Sequence, residues 1–159
     1  MSYETNPSID KTLITPKLSK LGQYQIYLKE LQANAIKDFA SDFKISGAAE
    51  RYLQVSIKCI IDIGNEIISS LQLQRPERYR DIPYILAESK IIPKNFAEKI
   101  ASMIGFRNLL VHDYAAINLK LVYEFLQTKL PDFENFTKYN AKWLEKVKDS
   151  PPCTRHFNN

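Results

Sequence analysis

Glycine is scarce in this chain, with 4 in 159 residues, and β-branched residues do not fall into alternating runs. Together these exclude a turn-rich all-β architecture. Cysteine and histidine occur twice each. Two cysteines, one in an apolar run at Cys59 and one in a proline-containing tail at Cys153, make no disulfide framework. They read as a buried thiol and a surface thiol. Two histidines far from both cysteines give no metal-ligand spacing, so neither a metal nor another cofactor is expected. No apolar run reaches the roughly 18 residues of a membrane-spanning helix. The opening MSYETNPSIDK is polar and lacks the build of a signal peptide. A soluble, cytoplasmic protein is the expectation.

What is present suits one helical domain. Hydrophobic residues make up 45% and charged residues 25%, enough apolar material for a core. The net charge is +4 and the isoelectric point about 9.0. That permits a polyanionic partner without demanding one. Lysine and arginine are scattered apart from a modest group at Arg75, Arg78 and Arg80, which a solvated surface explains equally well.

Helical periodicity dominates. Residues 1–14 read as a flexible, irregular arm. Thr15-Pro16 reads as a helix start with Thr15 as N-cap, and the helix runs to about Asn34. The stretch AIKDFASDFKISG is helical in part, with a break near Ser46-Gly47. A long helix spans about Ala48 to Leu73. Its wide face of Leu53, Ile57, Ile60, Ile61, Gly64, Ile67, Ile68 and Leu71 is interrupted by Asp62, Asn65 and Glu66. A short helix follows from Ile82 to Lys90 with Asp81 as N-cap. Another runs from Ile92-Pro93 to His112. Asn118 caps a helix to Lys129, and a last one spans Pro131 to Lys148. Residues 149–159 read as a flexible tail. The expected fold is an all-α bundle of about five or six helices over residues 15–148.

The segment RNLLVHDY, Arg107 to Tyr114, sets five polar or ionisable side chains directly after the apolar IASMIGF. On a helix advancing about 100° per residue, Ile100, Ile104, Arg107, Val111 and Tyr114 share one stripe. Ala101, Gly105, Asn108 and His112 share a second, which is small and then polar. Small residues allow another helix to approach, with Asn108 and His112 facing the seam. So apolar a helix is expected to be buried nearly all round, in this subunit or in an interface.

Arg107 lies in the apolar stripe and needs a carboxylate, solvent or an anionic ligand. Asp62 and Glu66 are possible partners. A histidine at a helix end is commonly structural, complementing the dipole. It is also suited to proton transfer near neutral pH. An arginine fork that holds a phosphate, with an imidazole beside it, is sufficient for metal-independent RNA cleavage by 2′-hydroxyl attack. Arg107 and His112 stand about 140° apart on a continuous helix. The helix must therefore bend or end, or two copies must combine their residues across a two-fold axis.

RNLLVHDY reads as R-x4-H-x-Y and resembles the signature of the HEPN superfamily in its HepT toxin branch. AAERYLQVSIKCIIDIGNEII, ERYRDIPYILAESKIIP and NLKLVYEFLQTKLPDFENF are similar to the surrounding segments of HepT proteins. The similarity covers roughly residues 18–137. The resemblance implies a dimeric all-α ribonuclease toxin, paired with a minimal nucleotidyltransferase antitoxin of the MntA type. It implies catalytic roles for Arg107 and His112, support from Asn108 and Glu66, and transfer of AMP from ATP to Tyr114 as the neutralising step. Glu66 stands where many relatives carry histidine. A carboxylate there could hold His112 in one tautomer or pair with Arg107. Two other readings remain: a non-catalytic nucleotide-binding partner of a nucleotidyltransferase, and a helical dimer whose motif only bolts its interface.

Overall fold

The computed structural model describes residues 8–112 and 118–150, with only the backbone at His112. Seven α-helices form among the described residues: α1 Thr15–Gln32, α2 Ile36–Ser41, α3 Phe43–Ser70, α4 Ile82–Glu88, α5 Lys94–His112, α6 Leu119–Thr128 and α7 Leu130–Lys146. Two-residue strands, β1 Ser8–Ile9 and β2 Lys148–Asp149, pair in parallel. No helix among the described residues is long and apolar enough to cross a membrane.

The 28-residue α3 is the axis of the bundle, touching α1, α4, α5 and α6. Ile57, Ile60, Ile63 and Ile67 are fully buried on it. Each contributes on the order of 1.5–3 kcal/mol relative to an exposed position. Phe133 and Phe136 from α7 and Phe39 from α2 fill the remaining space. At Gly64 the absence of a side chain is structural, because a methyl there would overlap Ile82 Cγ2 of α4.

Several local expectations are corrected. The arm expected over residues 1–14 is packed from Ser8 onward: Ile9 and Ile14 are both buried, and Lys11–Leu13 form a 3-10 turn capped by Asp10. Thr15 is not the N-cap of α1; Ile14 holds that place with no side-chain bond, and Pro16 sits in the first turn. The break before α3 falls at Asp42, not at Ser46-Gly47. The Asp42 carboxylate accepts a hydrogen bond from Lys44 N–H at 2.9 Å, which starts the helix at Phe43, five residues earlier than Ala48. Gly47 is helical, with open space beside it. Asp81 precedes α4 but its carboxylate turns back to accept from Arg78 N–H at 2.9 Å. Asn118 does cap α6, accepting from Lys120 and Leu121 N–H. Helix α2 lies within AIKDFASDFKISG, where a partly helical stretch was expected.

Candidate nucleic-acid site

Helix α5 changes character along its length. Ile100, Ala101, Met103 and Ile104 are buried. From Gly105 to Val111 every residue is half-buried or exposed. The expectation of burial nearly all round therefore fails for the C-terminal half within one chain. Asn108 is exposed, and so is Leu109 at 38%. Phe106 anchors the transition by stacking on Phe125 of α6, with ring centroids 4.1 Å apart and planes 7° from parallel.

Arg107 follows directly. Its side chain is half-buried, and its Nε is buried with no hydrogen-bond partner among the described residues. Neither expected carboxylate reaches it. Asp62 pairs with Lys58 one helical turn away at 2.8 Å. Glu66 is half-buried on α3 and makes no ion pair with Arg107. A guanidinium stays protonated at any working pH, so its buried donor calls for an acceptor. A phosphate oxygen would satisfy it.

The second stripe of α5 receives an unforeseen neighbour. The small residues at Ala101 and Gly105 were expected to admit a helix. At Gly105 the side chain that arrives is Arg80, from the 3-10 turn Tyr79–Asp81 between α3 and α4. Its guanidinium carbon lies 3.4 Å from where a Gly105 Cβ would stand, with Nη1 at 3.5 Å and Nε at 3.6 Å. Arg80 is exposed, and no described carboxylate pairs with it. The backbone register puts position 112 on this same face, two turns or roughly 10 Å further along the axis. Two cations thus flank α5 on opposite sides, Arg107 on one and Arg80 on the other. The sequence carried half of this signal, in the Arg75, Arg78 and Arg80 group and in the small stripe. Nothing in it joined the two.

Tyr114 lies outside the described residues, as does the side chain of His112. Cys59 is half-buried, and burial first, then Asp62, pushes its thiol pKa up. That keeps it a poor nucleophile, although it is less buried than expected.

A helical bundle that presents on α5 an arginine whose buried Nε has no partner among the described residues, within the sequence R-x4-H-x-Y, defines a class, and comparison with known proteins places the chain in it. The family model "Ribonuclease HepT-like" matches residues 20–139, and the chain belongs to that family. Among its relatives, an mRNA nuclease HepT of Shewanella oneidensis is 36% identical over 98 residues, covering 62% of this chain and 74% of the relative. A tRNA nuclease HepT of Aphanizomenon flos-aquae is 27% identical over 137 residues, covering 86% of this chain and 93% of the relative. The structure of a tri-AMPylated Shewanella oneidensis HEPN toxin in complex with its MNT antitoxin superposes with a TM-score of 0.74. Its identity is 28%, and the match covers 82% of this chain and 97% of that one.

Proposed function

We propose that this chain is a ribonuclease toxin held in check by a nucleotidyltransferase antitoxin. The observation that carries this reading is Arg107, whose buried Nε has no partner among the described residues although Asp62 and Glu66 lie on the facing helix α3. Membership of the HepT-like ribonuclease family supports it. So do the nuclease names of its relatives and the antitoxin seated on the superposed toxin.

In this mechanism Arg107 binds the scissile phosphate and stabilises the charge that develops on it. His112 takes the proton from the 2′-hydroxyl. The 2′-oxygen then attacks phosphorus, and the 5′-oxygen leaves with a proton returned by the His112 imidazolium, giving a 2′,3′-cyclic phosphate and a 5′-hydroxyl. Asn108 and Glu66 support the site. A two-fold dimer through the exposed half of α5 brings the residues of two copies together and covers Leu109 and Leu121. The unit that acts is a single helical domain, residues 15–148 together with the segment packed on it from Ser8, working in the cytoplasm.

Neutralisation follows when the phenol oxygen of Tyr114 attacks the α-phosphorus of ATP on an MntA-type partner and pyrophosphate leaves. The AMP so attached places bulk and negative charge close to Arg107 in sequence. It competes with RNA for the phosphate site.

The test is cleavage of RNA by the wild-type chain with a chelator present, scored for cyclic-phosphate ends, beside Arg107→Ala and His112→Ala. Both variants are expected to lose cleavage and growth inhibition while keeping their helical spectrum. A fully toxic variant would sink the proposal. Tight nucleotide binding without RNA cleavage would favour the non-catalytic partner instead.

A further inference from the structure

A cleft of about 790 Å³ lies between the end of α3 and the segment leading to α4. Its lining includes Asn65 and Ser69 from α3 and Arg75, Glu77, Arg78 and Tyr79 from the segment. The wall is held open by defined backbone. Gln72 takes a left-handed φ of 53° just past α3, and Leu73 N–H bonds back to the Ile68 carbonyl at 2.9 Å. This closes the helix and turns the chain sharply away from it. At the far end the Asp81 carboxylate holds Arg78 N–H. Tyr79 is 53% exposed, a large aromatic left on the cleft wall without a ring partner among the described residues. Arg75 is exposed and unpaired among the described residues, and Arg78 meets Asp81 only at 3.6 Å. Arg80, between Tyr79 and Asp81, rests on Gly105 of the motif helix. One short turn therefore joins the cleft to α5.

We propose that this cleft binds the single-stranded RNA segment flanking the cleavage site. A base stacks on Tyr79, Arg75 and Arg78 meet its phosphates, and Asn65 and Ser69 offer hydrogen bonds to base or sugar edges. Arg80 carries the backbone from the cleft to the face of α5 that ends at position 112. The proposal rests on the ribonuclease reading. A cation pair beside an exposed aromatic is the pattern that holds unpaired strands with little sequence preference. The lone carboxylate Glu77 is outnumbered.

The experiment uses the full chain with two probes, a fluorescent single-stranded oligoribonucleotide of about a dozen nucleotides and a dinucleotide too short to reach the cleft. Tyr79→Ala and the double variant Arg75→Ala/Arg78→Ala are compared with wild type, and Lys142→Ala removes an exposed cation elsewhere. The preference for the long substrate, as a ratio of kcat/KM values, is expected to fall about tenfold in each cleft variant, the size of one lost base stack. It should hold in Lys142→Ala. The arginine double variant should also lower the salt slope of oligonucleotide binding by about one to two, and Tyr79→Ala should not.

An unchanged length preference in both cleft variants overturns the proposal. So does loss of binding to the nucleotidyltransferase with the RNA preference intact, which assigns the cleft to the protein partner. If wild type cleaves neither probe, the ribonuclease reading fails by itself. Anisotropy binding then decides the cleft: weakened oligonucleotide binding in the variants keeps it as an RNA site, and equal binding removes it.

Discussion

The two halves of α5 are built from similarly apolar sequence and do opposite things. Ile100, Ala101, Met103 and Ile104 are sealed against α3 and α4. Three residues on, Arg107 holds a buried nitrogen without a partner among the described residues, and Leu109 is exposed. The first half is satisfied by its own chain. The second leaves both polar and apolar groups wanting, and so identifies itself as a surface for other molecules. The difference teaches that an apolar helix is not evidence of burial in one subunit. What matters is whether each group has found its complement.

The comparison can be broken from either side. The largest effect is expected in the sealed half: Ile100→Ala should cost about 2–5 kcal/mol in denaturant unfolding, with RNA cleavage per folded molecule retained. Arg107→Lys should show the reverse pattern. It keeps the charge and loses the fork, so cleavage should fall about 10²–10³-fold while the unfolding midpoint stays in place. A smaller effect is expected at the boundary. Gly105→Leu adds a side chain where the Arg80 guanidinium rests, and steady-state cleavage should drop roughly tenfold although leucine favours the helix by up to ~1 kcal/mol over glycine. The smallest is a control far from the site. Gly47→Ala fills open space within α3 and should raise stability by about 0.5–1 kcal/mol in the same denaturant series, with cleavage unaltered.

Much of this was legible in the residues. The wide apolar face of α3 found its burial, because strong 3.6 periodicity over many turns leaves few alternatives. Asn118 capped α6 as expected, for a short polar side chain before an apolar run has one favourable use. Boundaries set by competing signals were not legible. Ser46-Gly47 looked like a break, yet Asp42 captured an N–H first and carried the helix through it. Asp81 looked like a cap, yet Arg78 took its carboxylate. At the site, Arg107 was found from its own oddity: a charge in an apolar stripe must be explained. Tyr79 was not found, and Arg80 only as one of a basic group that a solvated surface explained equally well, because exposed side chains on a short turn carry no periodicity. Their placement beside Gly105 and the cleft depends on how α3 and α4 pack at Gly64.

The proposal turns on Arg107, whose buried Nε finds no partner among the described residues and is held free to meet an RNA phosphate. Its most direct test is a pair of measurements on one preparation of Arg107→Ala, thermal unfolding and RNA cleavage. Removing an unsatisfied group should leave the unfolding midpoint unchanged or raised, while cleavage falls at least about a hundredfold. A midpoint lowered by several degrees with cleavage retained would mean that Arg107 holds the fold together, and would contradict the account.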